Sequence, residues 1–483
     1  MVGIKSIGLH VPVYRLSRDT LANAWQTRSL GGERAVAGHD EDSLTMAVNA
    51  SHHCVSMGNG NASIQGVFFT STSSPYKEKQ VAATVAATLD LTANTYTADI
   101  TGSLRGATIA MNLAMGLAKG GLAENVIITA SDCRLGMPQS DNEQRFGDAA
   151  AAVMMGNSNL IAEVTASYSI YDEFIDHWRF DNDVFVKSWE ERFTISEGYM
   201  RVVKRSVTEF LANESLRPSD FAKVILCGPD PRSQVGLAKA LGFDPKAQLQ
   251  DPLFAGIGHA GTAEPLIMLA AALEKAKAGD RILFTAYGDG SDLFVFEVTK
   301  DIKRIHEGLG LERQLARRQA INYEKYLSWR NLLPIGLPRR PDPEMRSVAS
   351  RWRERKRILA LYGGKCRNCG TVQYPPQRVC VGCGKKDDFD EYTFIGRKAR
   401  IFTFATDRLS PTKAPPAMNV FVEFERGGRM IAELTDCAPE KLEIGMPVEM
   451  TFRKMHQSDE MYDYFWKARP IVKGKNDEIR RRT

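Results

Sequence analysis

Apolar positions along this chain switch repeatedly between a period of two and a period near 3.6, and each switch marks an element. Residues 3–13 (GIKSIGLHVPV) predict a strand running into a Pro-marked turn. Asp40-Glu41-Asp42-Ser43 leads into a predicted helix (LTMAVNASHHCV), with its acidic residues at the end the dipole favours. Residues 64–72 (IQGVFFTST) read as a buried strand that ends in the cluster Ser71–Pro75, and VAATVAATL predicts a helix of small residues. Thr95 to Ile100 alternates like a strand, Thr101-Gly102-Ser103 is a small-residue corner, and Leu104, Thr108, Met111, Leu113 and Met115 fall on one helix face. Residues 125–132 (NVIITASD) predict a further strand, and Gly147-Asp148-Ala149-Ala150 opens the apolar run AAVMMG.

The same order returns further on. After an aromatic, charged insertion at 168–199, which contains His177-Trp178-Arg179-Phe180, a helix over 199–213 leads to the strand Lys223-Val224-Ile225-Leu226 and to Cys227-Gly228-Pro229. Gly256–Ala263 (GIGHAGTA) forms a second small-residue corner opening the helix PLIMLAAALEKA, and 281–298 predicts two strands joined by a glycine turn. Two strand–corner–buried-helix halves predict a duplicated α/β/α/β/α domain over 1–300.

Near Thr299 the composition shifts. Residues 301–360 are rich in Arg, Lys and Glu and broken by Pro334, Pro338, Pro341 and Pro343, which predicts a helical linker. A cysteine cluster falls in 361–390. Over 391–472 the segments ARIFTFATD, MNVFVEFE, RMIAELTD and PVEMTFRKM alternate as the strands of a small barrel, and 473–483 is a charged tail. With 483 residues, 43% hydrophobic and 25% charged, the chain is long enough for several domains and too apolar for disorder. A formal charge of +5 is too mild to call for nucleic acid, which is not an expected partner. No apolar run reaches the roughly 18–20 residues of a membrane span and Met1 leads straight into a strand, so the expected location is the cytoplasm.

Cys366-x2-Cys369-x10-Cys380-x2-Cys383 is the most specific chemical signal. Two CxxC turns, with Gly370 and Gly384 just after them, supply four thiolates for a tetrahedral Zn(II) site. With every position taken by sulfur, this zinc is expected to be structural.

The ribbon followed by a barrel, with Tyr374-Pro375-Pro376 and Ile444–Val448, resembles the acyl-CoA-associated zinc-ribbon/OB-fold family that accompanies thiolase-like enzymes. The first 300 residues resemble the hydroxymethylglutaryl-CoA synthase branch of the thiolase superfamily. The matching pieces are His39-Asp40-Glu41-Asp42, Ala98-Asp99, Ser131-Asp132, Gly147–Ala150, Arg192-Phe193-Thr194, Gly256-Ile257-Gly258 and Ala286–Gly290. That resemblance implies a thiolase-like fold, a CoA thioester as substrate and a homodimer. It also places the family's nucleophilic Cys on Leu104, with Ser103 one position short. The general acid/base Glu falls on Ser73, the His before a Pro on Cys227, and the Asn after Ile-Gly on His259. Leucine forms no acyl-enzyme.

The leading reading is therefore an acyl-CoA enzyme that makes or breaks a carbon–carbon bond without an acylated cysteine, by (retro-)aldol chemistry on a 3-hydroxyacyl-CoA. His259 is the candidate base, the helix N-terminus at Ser103–Arg105 the stabiliser of an enolate, and Cys227 a candidate acid. Ser73, Arg105 and Tyr287 are candidate substrate-binding residues. One rival is a hydroxymethylglutaryl-CoA synthase-type condensation with Ser103 or Cys133 as nucleophile; the other is an acyl-CoA-binding scaffold without activity. The basic run Arg351–Arg357 reads either as a solvated helix or as a dock for CoA phosphates.

Overall fold

The computed structural model describes residues 1–58, 63–306, 308–338, 347–457 and 461–471. The charged tail at 473–483, with Pro341 and Pro343, lies outside them. The chain folds as two compact units: the first holds Met1–Gly38, Asp42–Ala86 and Leu91–Tyr326; the second holds His39–Glu41, Ala87–Asp90 and the chain from Leu327.

Nine strands build the main sheet of the first unit: β1 Gly3–His10, β2 Gly66–Ser71, β3 Tyr96–Thr101, β4 Asn125–Asp132, β5 Ala149–Gly156, β6 Ala162–Tyr171, β7 Lys223–Leu226, β8 Arg281–Tyr287 and β9 Gly290–Val298. Their spatial order is β7-β8-β9-β6-β1-β5-β4-β2-β3. β6 and β1 are paired only through Gly3–Glu163 and Ile4–Ala162, so the sheet is two half-sheets joined at a narrow seam. β2 and β4 are buried along their whole length, and their continuous apolar runs follow from being covered on both faces.

Four helices layer these half-sheets: α1 Ser43–Met57, α2 Gly106–Lys119, α3 Arg201–Asn213 and α4 Glu264–Lys275. α1 packs on β1, β4 and β5, and α3 on β6 and β9, whereas α2 and α4 each touch strands of both half-sheets. The stack is thus α/β/α/β/α, the thiolase-like arrangement expected from the duplicated pattern. α4 is apolar all round because it lies in the central layer, where Pro265–Leu273 are all buried. Each central helix starts from one of the predicted corners. Gly102 at the first has φ +89°, a conformation that glycine supplies without strain.

In the second unit, Tyr362–Cys366 pairs with Val372–Gln373 and Phe389–Thr393, and a five-stranded sheet runs Arg429–Glu433, Ala417–Phe424, Ala399–Asp407, Pro447–Gln457, Tyr462–Pro470. Its interior holds charge. Arg453, 0% exposed, lies 2.6 Å from Glu41 Oε1, 2.6 Å from Asp436 Oδ2 and 3.4 Å from Asp40 Oδ1. Lys467 Nζ lies 3.1 Å from Asp40 Oδ2 and 2.5 Å from Glu433 Oε2. Asp40 and Glu41 therefore do not serve the helix that follows them, contrary to the expectation from their sequence position. Asp42 alone caps α1, accepting from Thr45 N–H at 2.9 Å.

This cluster makes the stability of the second unit depend on pH in two directions. Burial alone would raise the Asp40 carboxyl, but the charges of Lys467, His39 and Arg453 hold it far below the usual range. A depressed acid contributes stability above its unfolded value and loses it as pH falls toward the folded one. Burial alone would lower Lys467, yet Asp40 and Glu433 raise it, so its contribution is complete below about pH 10 and fades above. Unfolding free energy of this unit is expected to fall on acidification below about pH 4 and again above about pH 10. Arg453→Met leaves Glu41 and Asp436 buried without their cation and is expected to cost about 3–5 kcal/mol. Denaturant melts followed through the buried Trp466, taken across pH, check both; an unchanged melt in Arg453→Met would discard the account.

Candidate functional site

The two corners and the aromatic insertion meet in the first unit around a cavity of about 30 Å³. Its wall includes Leu104 from the first corner and His259, Gly261 and Glu264 from the second. Asp176, His177, Thr194 and Tyr199 come from the insertion, and Cys227 and Tyr287 from the ends of β7 and β8. Thr194–Met200 is a π-helical turn running into α3, an irregularity that aims Thr194 and Tyr199 inward.

His259 is fixed by its backbone: its N–H donates to Arg145 O at 2.7 Å and its carbonyl accepts from Gly147 N–H at 3.1 Å. Gly261 beside it has φ +61°, and a Cβ there would sit 2.3 Å from Asp132 Oδ2, so the corner closes only around glycine. The imidazole packs edge-on against Phe146, with 6.4 Å between centroids. Its Nδ1 lies 2.7 Å from Glu264 Oε2, 3.2 Å from Gly261 N and 3.4 Å from an Arg134 guanidinium nitrogen.

Across the cavity the Tyr287 hydroxyl donates to Asp176, and the backbone N–H of His177 donates to Asp176 Oδ1 at 2.6 Å. Burial first, then the Asp176 charge, pushes the Tyr287 phenol far above its ordinary value, so it stays a proton donor. Burial would raise Asp176 as well, but the hydrogen bonds from His177 and Tyr287 hold it below the usual range. Cys227 is pushed up by burial and then by Glu264, and its Sγ lies 3.6 Å from Met268 Sδ. It remains a thiol and lines the wall.

The other sequence candidates lie outside the cavity wall. Ser103 Oγ donates to Gly288 O at 3.2 Å. Arg105 is held by Asp292 Oδ1 (3.1 Å), Ile170 O (3.1 Å) and Asp289 O (3.0 Å), which ties the start of α2 to β6 and β9. Ser73 donates to Asp132 Oδ1 at 2.7 Å and accepts from Cys133 N–H at 2.8 Å. Asp132 is the hub of that network, accepting also from Ser71, Thr72 and Thr262 N–H. Glu264, Asp176, His177, Thr194, Tyr199 and Arg134 are site residues that sequence reasoning missed. The available signals were the carboxylate closing the corner GHAGTAE and the unusual aromatic insertion.

In the second unit the sulfurs of Cys366, Cys369, Cys380 and Cys383 all lie within 4.8 Å of one another, with Cys366–Cys383 at 3.7 Å and Cys369–Cys380 at 3.5 Å. A tetrahedron with Zn–S bonds of about 2.3 Å has sulfurs about 3.8 Å apart, so the donor set fits zinc. Gly370 and Gly384, at φ +76° and +74°, finish the two knuckles and donate to Cys366 O and Cys380 O.

Among the described residues no helix is long and apolar enough to cross a membrane. Residues 353–389 match the family described as ChsH2, rubredoxin-like zinc ribbon domain, and residues 392–453 match ChsH2, C-terminal OB-fold domain. The hydroxymethylglutaryl-CoA synthase of Aeropyrum pernix is 32% identical over 344 residues, covering 69% of this chain and 95% of that protein. The Methanopyrus kandleri synthase is 28% identical over 343 residues, covering 69% and 98%. The fold agrees with that of an HMG-CoA synthase solved in complex with CoA (TM-score 0.61, 20% identity, covering 67% of this chain and 89% of that one). It also agrees with 3-oxoacyl-[acyl-carrier-protein] synthase III from Aquifex aeolicus (TM-score 0.55, 21% identity, covering 62% and 100%). The chain belongs to the hydroxymethylglutaryl-CoA synthase family, and carries behind that thiolase-like region a zinc ribbon and an OB-fold of the ChsH2 type.

Proposed function

We propose that this protein acts on CoA thioesters and makes or breaks a carbon–carbon bond by (retro-)aldol chemistry on a 3-hydroxyacyl-CoA, with no acyl-enzyme. The family's solved members include one that holds CoA, which supports the substrate class. The observation that carries the reaction type is the cavity itself. Leu104 occupies the wall at the position the resemblance gives to the nucleophile, and His259 with Glu264 faces it.

In the cleavage direction His259 takes the proton of the 3-hydroxyl. The C2–C3 bond breaks, the C3 oxygen becomes a carbonyl, and the electron pair passes to the thioester as an enolate. The start of α2 beside Leu104 favours the enolate oxygen through its dipole, and C2 then takes a proton back from the imidazolium. Aldehyde or ketone and a shortened acyl-CoA leave, with no oxidant needed. Tyr287, kept protonated by burial and by Asp176, stays bound to that carboxylate and lines the wall beside the substrate.

The test is to incubate the protein with 3-hydroxyacyl-CoAs, including branched and aryl-substituted ones, and to follow release of acetyl- or propionyl-CoA by chromatography. Release is expected from at least one of them and is expected to be lost in His259→Ala. Mass spectrometry after incubation with acetyl-CoA should show an unmodified chain. A stable acetyl adduct on Ser103 or Cys133 would instead establish the condensing route, and tight thioester binding without turnover in either direction would establish the scaffold.

A further inference from the structure

We propose that Leu104 is the specificity-determining residue of this site: its side chain closes the narrow end of the cavity and restricts the 3-hydroxyacyl-CoA to a short acyl chain. This rests on the aldol reading of the same cavity. A space of about 30 Å³ is room for about two waters. It is one end of a longer depression. His177, Thr194 and Pro229 line both it and an adjoining chamber of about 200 Å³, whereas Leu104 and Tyr199 line the small space alone. A thioester that comes through the wider chamber therefore brings its acyl end to Leu104 and Tyr199.

The walls of the narrow end are fixed. Tyr199 is fully buried, its hydroxyl donates to Leu226 O at 3.2 Å, and its ring meets Tyr287 edge-on with 5.7 Å between centroids. The ring also lies so close to Gly228 that a Cβ there would come within 2.3 Å of Tyr199 Cζ. It has no room to retreat on that side. The backbone of the first corner stands against Gly288, where a Cβ would lie 3.2 Å from Leu104 N. Arg105, the next residue, is tied to Asp292, Ile170 O and Asp289 O. With both backings held, the side chain at position 104 decides how much acyl chain fits. Leu104 precedes α2, which starts at Gly106, so a change of its side chain leaves the helix's own bonds alone. The family resemblance supplies no part of this role, since it sets a nucleophilic Cys where Leu104 stands.

A methylene that an apolar pocket gains or loses changes binding by about 10–200-fold, so chain length reads the gauge directly. Full-length protein is titrated in a calorimeter with acetyl-, butyryl- and octanoyl-CoA, which lack the 3-hydroxyl and report binding without turnover. Wild type should bind octanoyl-CoA at least about tenfold more weakly than butyryl-CoA. Leu104→Ala removes three carbons and should bring the two within about twofold. Leu104→Phe adds bulk and should weaken butyryl-CoA at least about tenfold relative to acetyl-CoA. The same order should appear in kcat/KM for 3-hydroxybutyryl- and 3-hydroxyoctanoyl-CoA. A variant that merely loosened the fold would weaken every length alike and leave the ratios unmoved. Equal binding of butyryl- and octanoyl-CoA by wild type, or the wild-type ratio kept in Leu104→Ala, would overturn the inference and leave the aldol reading to its own turnover test. Absence of turnover from every 3-hydroxyacyl-CoA would overturn the aldol reading. The binding ratios would then decide the gauge alone, a shift in Leu104→Ala supporting it and none refuting it. If Leu104→Ala does not fold, the ratio of acetyl- to butyryl-CoA binding in Leu104→Phe decides.

Discussion

Alanine at His259 is expected to slow acyl-CoA release by about 10²–10⁴-fold, the range over which a positioned base acts, equal to roughly 3–5 kcal/mol of barrier. The ring is the titratable nitrogen heterocycle that both faces the cavity and has a carboxylate behind it; His177, also in the wall, lies 3.4 Å from an Asp176 that is already engaged by Tyr287 and by backbone. Little of the fold depends on the imidazole. His259 is held by its backbone bonds to Arg145 and Gly147, and Ala260 and Thr262 continue the corner without it. The variant should therefore melt near the parent temperature and bind CoA thioesters with little change, so that the loss falls on kcat. Retention of the rate to within about threefold would remove His259 from the chemistry and return attention to Tyr287 and Asp176.

How much of this was legible beforehand follows from how local each signal is. The corner at Thr101–Ser103, the second corner at Gly256–Ala263 and the buried strands over 66–71 and 125–132 are written in consecutive residues, and the fold class came from them directly. The barrel strand predicted as ARIFTFATD is Ala399–Asp407 residue for residue. Tyr462–Pro470 escaped because its burial does not alternate: Phe465 is only half-buried while Tyr464, Trp466, Lys467 and Ala468 are all buried, in a strand that carries part of the ion cluster. Asp40 and Glu41 looked like helix-terminal acids because the cation they serve, Arg453, is 413 positions from Asp40. The site suffered in the same way. His259 could be placed by the corner it occupies, but Arg134 is 125 positions away, and Asp176 and His177 arrive on an insertion whose two-residue strands carry no periodic signal. Ser73 and Ser103 were drawn to the site by the positions the family resemblance assigns, and Arg105 by its place at the helix start after the corner. The structure gives their polar atoms to Gly288, Asp292 and Asp132 instead.

Replacing Cys380 with serine is expected to unfold the ribbon while sparing the barrel. The ribbon has little else to hold it: its edge strand is the two residues Val372–Gln373, and its buried apolar side chains are few, with Cys366 and Cys380 (1% and 2% exposed) among them. Structural zinc in such modules supplies about 10–16 kcal/mol of apparent binding free energy at neutral pH, far more than this core could. The three remaining thiolates leave one zinc position to water, and the buried serine hydroxyl is a poor ligand. Metal analysis should fall from one zinc per chain toward none. Amide exchange should quicken across Tyr362–Cys366 and Phe389–Thr393, whose pairing depends on the two knuckles. The strands Ala399–Asp407 and Ala417–Phe424, held by their own register and by the interior packing of Ile401, Val420 and Val422, should keep their protection. Stripping the metal from the wild-type chain with a chelator should reproduce this pattern, and zinc should reverse it. The four positions are all sulfur and no substrate position is open, so the consequence of metal loss is loss of structure. Full protection of Tyr362–Cys366 in the zinc-free chain would show that the four cysteines are not what folds the ribbon.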